Sequence, residues 1–401
     1  MGCSNSVPVA ASEDAGVKGK DVTHGANMTA SSGGKGANST RSRRLSVIVA
    51  EPQSVPPVGN GAVDEVRATM TKSRSARARR LSHITHNADD SMIPVDDVNL
   101  DDPEGLPTPI GTTACESMRV SVACMSRAGK EPGFKKTNQD SCFAFEKYIS
   151  EDQALFGAMD GHGPQGHLVS GFVKQHLPIM LVHHLATGGP DVCAALTKGF
   201  LEVDASLGAS RIECEYSGST TVVAFLKGKT LTTAWVGDSR GVVGIQEAGS
   251  PLVVAQDLTI DHKPTDPVEM ERILGAKGRV ERLVDETGEP MGPHRVWLQS
   301  AWIPGLAMSR ALGDAVAHSV GVSSEPQHSV TELNETHKFM ILASDGVWEF
   351  VSSQEAVDII ASHDNIEDAC RSLVEEAHQR WLVEEDGVVD DITAVVVRFL
   401  H

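Results

Sequence analysis

Apolar and polar positions divide the chain into two unlike parts. Over residues 1–114 large apolar side chains are sparse and keep no period, while Ser, Gly, Ala, Arg and Asp dominate. Such a stretch cannot bury enough surface to offset the entropy of ordering it, so it reads as a disordered tail. From about Met118 onward the pattern changes. Residues 119–124 alternate with period two, and short apolar runs recur at 141–145, 154–159, 218–226, 230–236, 241–245, 338–343 and 392–400. These predict strands. Apolar residues at helical spacing predict helices over 166–185, 192–207, 267–274, 353–361 and 366–381. Residues 275–299 carry the Gly and Arg of an irregular hairpin or flap. The order is strands, two helices, hairpins, two helices and a closing strand. It lacks the βαβ alternation of a parallel sheet and predicts an α+β fold over residues 115–401, antiparallel sheets with helices packed outside them.

Several of the apolar runs stop at an acid. Residues 154–159 end at Asp160-Gly161-His162-Gly163, 230–236 at Gly237-Asp238-Ser239, and 338–343 at Ser344-Asp345-Gly346. Asp390-Asp391 opens the last run, and Asp140 sits in the loop before 141–145. Taken singly, each is an ordinary turn residue. Taken together, they would meet at one sheet edge if the strands converge. Carboxylates that close cannot all stay ionised without a cation between them. Hard divalent ions take oxygen ligands of this kind, and a pair of them clamps a phosphoryl group. His162, beside the first acid, is suited to moving a proton near neutral pH. There is no Gly-x-Ser-x-Gly elbow and no Walker loop. His183-His184 lies mid-helix and reads as surface or partly buried. Asp261-His262-Lys263-Pro264 is open between a site role and a loop hydrogen bond.

Composition narrows the classes. Hydrophobic residues at 40% and charged residues at 22% suit a globular protein, and no apolar run approaches the ~18–20 residues that span a bilayer. A net charge of −19 argues against nucleic acid as a partner. The seven cysteines lack Cys-x-x-Cys spacing, which favours reduced thiols in the cytoplasm over a disulfide framework or a zinc site.

The tail carries its own signals. Met1-Gly2-Cys3-Ser4-Asn5-Ser6 fits the N-myristoylation pattern on Gly2, with Cys3 a candidate for palmitoylation. Myristate alone holds a membrane only marginally, so Cys3 or the arginines further along the tail would supply the second signal. Arg43-Arg44-Leu45-Ser46 and Arg79-Arg80-Leu81-Ser82 repeat one tetrapeptide, making Ser46 and Ser82 candidate phosphorylation sites in basic settings. Phosphate there would weaken attraction to an anionic leaflet. A cytoplasmic protein, peripheral on the cytosolic face of a membrane, is the expectation.

The segments Asn138-Gln139-Asp140, Met159-Asp160-Gly161-His162-Gly163, Ser217-Gly218-Ser219-Thr220, Val236-Gly237-Asp238-Ser239-Arg240 and Asp261-His262-Lys263-Pro264 occur in that order. The run from Leu306 to Asp314, Ala343-Ser344-Asp345-Gly346-Val347-Trp348 and Asp390-Asp391-Ile392-Thr393 follow. Together these resemble the metal-dependent protein phosphatases (the PPM family, type 2C). The resemblance implies a central β-sandwich of two antiparallel sheets flanked by pairs of helices, and two Mn2+ or Mg2+ ions at the sheet edge. It implies that Asp160 bridges both metals, with Asp345 and Asp390 on one and the Gly161 carbonyl on the other. Asp238 would hold a third, weaker ion shared with Asp345. His162 would be the general acid, and Lys135 would hold the substrate phosphate. The implied reaction is hydrolysis of phosphoserine or phosphothreonine in phosphoproteins by water that two metals activate, without a phosphoenzyme.

The chain departs from the family pattern in places. Gln139 stands where many members have Glu, which removes a carboxylate from the second metal and leaves Asp140 to act there. Lys135 replaces a common Arg and offers a point charge instead of a fork, with Lys136 beside it. Asp391 replaces a common Asn. An active, monomeric phosphatase is the expectation. The alternatives are a weakly catalytic pseudophosphatase that binds phosphoproteins as a scaffold, and a dimetal hydrolase of small phosphoesters.

Overall fold

The computed structural model describes residues 118–131, 136–187, 189, 191–285, 288–385 and 387–401. Its centre is two antiparallel sheets. The first runs β1 (Arg119–Arg127), β15 (Ile392–Leu400), β14 (His337–Ala343), β7 (Arg240–Ile245) and β8 (Val254–Asp257). The second runs β12 (Leu312–Gly313), β4 (Gly218–Ser219), β3 (Gln153–His162), β5 (Thr221–Lys227), β6 (Thr230–Val236) and β13 (Gln327–Glu332), with β2 (Asp140–Phe145) also paired to β3. A small third sheet joins β9 (Gly278–Val284), β10 (Pro290–Leu298) and β11 (Pro304–Leu306), which is the hairpin expected over 275–299.

Alternation explains the layering. On β3, Phe156 and Ala158 point between the sheets, where they meet Val222, Leu226 and Trp235 of their own sheet and Met340, Leu342, Val395 and Val397 of the other. Leu155 and Met159 point outward, onto Leu177 of α1 (Gly166–Thr187) and Phe200 of α2 (Val192–Ala209). The first sheet does the same with Ile341, Ala394 and Val396. These pack on α5 (Asp345–Trp348), α6 (Ser353–Ala361) and α7 (Ile366–Glu384). Strands buried on both faces read as continuous apolar runs, which is why residues 154–159 showed no clean alternation. Two short helical pieces, α3 (Pro267–Gly275) and α4 (Ala315–His318), cover the small sheet, packing Ile273, Val316 and Ala317 onto its Val296 and Leu306.

One boundary differs from the sequence reading in a way that matters. The strand does not stop before the acid: β3 continues through Asp160, Gly161 and His162. Asp160 is register partner to Asp140 on β2, and His162 to Gly218 on β4. Sheet pairing, and not a turn, therefore fixes these side chains.

Phe156 is fully buried between the two sheets. Its truncation to alanine should cost about 3–5 kcal/mol of stability in urea unfolding, because the facing layer cannot collapse onto the void. A loss under about 1 kcal/mol would show that the two sheets do not share this core.

Candidate active site

Five elements deliver acids to one end of the sandwich. Asp140 opens β2, Asp160 lies near the end of β3, Asp238 follows β6, Asp345 follows β14, and Asp390 precedes β15. Asp160 is hydrogen-bonded to Asp345, and the charges of Asp140 and Asp390 also act on it. Asp345 in turn feels Asp238 and Asp390. Burial, followed by the charge of a neighbouring acid, holds the carboxyls of Asp160 and Asp345 well above the usual range. Burial, then Asp391, pushes Asp140 up to about 7.

Hydrogen bonds and lysines stabilise the set. Ser344 Oγ donates to Asp140 Oδ2 at 2.8 Å. Lys263 Nζ donates to Asp238 Oδ2 at 2.5 Å. Burial alone would raise the Asp238 carboxyl, but the Lys263 charge and hydrogen bond outweigh it and hold that group low. Lys136 Nζ pairs with Asp390 Oδ1 and stands 3.5 Å from Asp391 Oδ2. Lys136, next to Lys135 in the chain, is thus engaged by two acids. Lys135 itself lies outside the described residues, as do Gly2, Cys3, Ser46 and Ser82.

The acid at 391 does more than replace an amide. Gly129 N donates to Asp391 Oδ1 at 2.6 Å and Gln139 N to Oδ2 at 2.9 Å, so this side chain pins both ends of the loop between β1 and β2. Gln139 is also structural. Its Nε2 donates to the Gly163 carbonyl at 2.8 Å, and its own carbonyl accepts from Gly161 N at 3.1 Å. A glutamate could not make the first bond. Gly161 itself has no space for a side chain: a Cβ would lie 2.2 Å from the Gly166 carbonyl oxygen.

His162 has a buried partner that the sequence reading did not single out. Its Nε2 is 2.6 Å from Asp314 Oδ2, both side chains almost fully enclosed. The pairing β3–β4–β12 carries Asp314 across, and its N–H donates to the Ser217 carbonyl at 2.9 Å. Asp314 adopts a left-handed backbone (φ 43°), tolerable for Asp but unusual for most residues. Gly218 lies against the pair, where a Cβ would stand 2.1 Å from Asp314 Oδ2 and 2.7 Å from His162 Nε2. The sequence marked Asp314 only as the last residue of the Leu306–Asp314 run, without a role.

The Asp261-His262-Lys263-Pro264 segment resolves into two roles. His262 Nδ1 accepts from Gly237 N at 3.1 Å, shaping the turn that presents Asp238, while Lys263 meets Asp238 directly. Burial and the Arg310 charge push His262 down to about 4, so it serves as a neutral acceptor. His184, on α1, pairs with Glu202 instead of joining the site.

A cation would suit this donor set. It is all oxygen, and Asp140 Oδ1, Asp238 Oδ1 and Asp345 Oδ1 are buried without a hydrogen-bond partner. Among the described residues, no group of three or more His, Cys, Asp or Glu side chains is drawn together as ligands of one ion. The acids instead share lysines, a serine hydroxyl and one another.

Comparison with known proteins agrees with the geometry. A family model described as protein phosphatase 2C matches residues 125–384. The chain belongs to the protein phosphatase 2C family. Members of that family are metal-dependent serine/threonine phosphatases. Over 277 residues it is 40% identical to probable protein phosphatase 2C 64 of Oryza sativa subsp. japonica, a match covering 67% of this chain and 64% of that protein. Over 292 residues it is 37% identical to probable protein phosphatase 2C 73 of Arabidopsis thaliana, covering 67% and 77%. Among solved structures, a serine-threonine phosphatase 2C from Toxoplasma gondii superposes with a TM-score of 0.59 at 24% identity, over 73% of this chain and 98% of that one. A sex-determining protein of C. elegans superposes at 0.57 with 23% identity, over 70% and 65%. These two likenesses establish the protein phosphatase 2C fold.

The raised carboxyl of Asp140 has a consequence for pH. Its folded pKa exceeds the unfolded value of 3.8, so the native state keeps a proton that the unfolded chain releases, and stability falls as pH rises from about 4 to about 7. With chelator present, Asp140→Asn should leave the melting temperature unchanged near pH 4 and raise it progressively toward pH 7. A difference from wild type that is constant across this range would show that Asp140 is not a buried, strained carboxyl.

Proposed function

We propose that this chain is a protein phosphatase that hydrolyses phosphoserine and phosphothreonine, with residues 115–401 as its catalytic unit and Mn2+ or Mg2+ as its cofactor. One observation carries the reading: acids from five separate elements, buried or half-buried, crowd beside a His–Asp pair, with three of their carboxylate oxygens left unpartnered. Asp160, the Gly161 carbonyl, Asp345 and Asp390 would hold two ions, Asp238 a third, and Asp140 would act where Gln139 offers no carboxylate. When bound, the ions would offset the carboxylate charge, activate water and draw electron density from the phosphoryl oxygens.

The chain's own residues supply the rest. A serine or threonine alkoxide is a poor leaving group and needs a proton as the P–O bond breaks. Asp314 Oδ2 accepts from His162 Nε2–H, which leaves Nδ1 as the nitrogen able to carry and deliver that proton. Asp314 also stabilises the charged imidazolium and fixes the ring plane. Lys135 would meet the substrate phosphate as a point charge. Lys136 serves the acids of the last strand.

Purified full-length protein should release phosphate from a phosphoserine peptide only with Mn2+ or Mg2+ added, and Asp160→Asn should abolish turnover. Activity that survives both chelator and Asp160→Asn would sink the proposal, and retained peptide binding with no turnover at saturating Mn2+ would favour a scaffold. Asp314→Asn should lower kcat on the phosphopeptide by about 10²-fold or more. It should lower the rate far less on p-nitrophenyl phosphate, whose leaving group needs no proton. Equal losses on both substrates would remove His162 as the proton donor.

The tail reading is that Gly2 is myristoylated and Cys3 palmitoylated, holding the enzyme at the cytosolic face of a membrane, with Ser46 and Ser82 as phosphorylation sites that loosen it. Its support is the co-occurrence of Gly2, Cys3 and Ser6. In cells, Gly2→Ala should shift the protein from the membrane to the soluble fraction; unchanged fractionation would rule out acyl anchoring.

A further inference from the structure

Two of the cysteines meet at the edge of the sandwich beside the candidate active site. Cys124 lies on β1, the outermost strand of the first sheet, and Cys142 on β2, an edge strand of the second. β1 pairs with β15 alone and β2 with β3 alone, so no backbone ladder joins the two strands. Val120 and Val122 on β1, and Cys142 and Ala144 on β2, pack into the layer between the sheets, and Cys124 follows Val122 at the same period of two. The Cys124 and Cys142 thiols are close enough to act on one another. Cys124 is exposed and Cys142 half-buried, so solvent reaches the pair from the β1 side. A third cysteine, Cys370 on α7, is close by but buried, its thiol turned onto the Ala394 carbonyl at 3.7 Å.

We propose that Cys124 and Cys142 form a dithiol site that a hydroperoxide converts into a disulfide, stapling the two sheets across their open edge. The first step places the thiolate of one cysteine of the pair on one peroxide oxygen. An S–O bond forms, the O–O bond breaks, and the second oxygen leaves as water after taking a proton. The sulfur of the other cysteine then attacks the sulfenic sulfur. An S–S bond forms, the S–O bond breaks, and the second water leaves with the proton of the second thiol. The two thiols lose two electrons and two protons, and hydrogen peroxide becomes two waters. A thiol reductant reverses the change. The described cysteines are all free, and reversible disulfides of this kind are transient and redox-sensing.

The bond would close residues 124–142 into a ring. That ring contains Lys136, Gln139 and Asp140, and the described ends of its loop are held by the Asp391 carboxylate through Gly129 and Gln139, by the Lys130–Val389 bridge and by the bonds of Gln139 to Gly161 and Gly163. Asp140, the register partner of Asp160, is two residues from Cys142. The staple therefore restrains the segment that presents Asp140 to the other acids.

The test uses the full chain treated with hydrogen peroxide, alkylated, digested without reduction and analysed by mass spectrometry. The expected product is the Cys124 peptide joined to the Cys142 peptide, two hydrogens lighter than their sum, and lost on adding dithiothreitol. Cys124→Ser and Cys142→Ser should each abolish it, and Cys124→Ser, an exposed position, keeps the test open if the other variant fails to fold. Hydrogen exchange over residues 128–131 and 136–139 should slow at least several-fold in the oxidised form and stay unchanged in oxidised Cys124→Ser. Recovery of the two cysteines as separate sulfinic acids, or paired with Cys370 or Cys193 instead, would overturn the proposal. So would exchange that is the same before and after the crosslink forms. None of these readouts requires turnover, so a failure of the phosphatase reading would leave them intact.

Discussion

Crowded negative charge is the constraint around which this molecule is built. Five acids from distant parts of the chain share one end of a sandwich whose interior is almost wholly apolar. Carboxylates so placed repel each other and lack water, and either must keep protons or must be met by cations. Lys136 and Lys263 answer part of that demand from within the chain. The raised carboxyls of Asp140, Asp160 and Asp345 are the part left over. A fold that stores such repulsion at one point needs rigid surroundings, and the two-sheet core with helices on both faces provides them.

The same rigidity positions the histidine. Asp314 is far from His162 in sequence, yet two short ladders and a left-handed residue bring their side chains to 2.6 Å. Gly218 allows that approach because it has no side chain to come between them. Around this, secondary contacts hold the turns that carry the acids. Thr220 Oγ1 accepts from Asp160 N and bonds to Ser239 Oγ, linking the Asp160 strand to the Asp238 turn. Glu269, clamped by Arg272, Arg310 and Ser309, ties the small third sheet region to the segment that ends at Asp314.

Much of this was legible in the sequence where the signal is local. The apolar runs marked β3, β5, β6, β14 and β15, and the acids at or near their ends stood out as a set because several runs stop in the same way. The paired helices were readable from their spacing. What escaped depends on tertiary pairing. β13 has the sequence Gln-His-Ser-Val-Thr-Glu, which shows no apolar face, and it exists because β6 offers it a partner. The extension of β3 through His162 follows from β2 and β4 pairing with it. Lys136 and Lys263 carry no mark that they would meet Asp390 and Asp238 and not solvent or substrate. Asp391 reads as a second acid at the opening of the last strand until Gly129 and Gln139 are seen to donate to it.

The most direct test of the central claim is thermal unfolding of the metal-free full chain against increasing Mn2+ at neutral pH. If the gathered acids form a cation site in the native state alone, the melting temperature rises steadily with the logarithm of Mn2+ concentration above its dissociation constant. Asp345→Asn should weaken that rise and Asp160→Asn should largely abolish it. A melting temperature indifferent to Mn2+, or one that responds equally in all three proteins, would contradict the claim that these carboxylates act together on a bound ion.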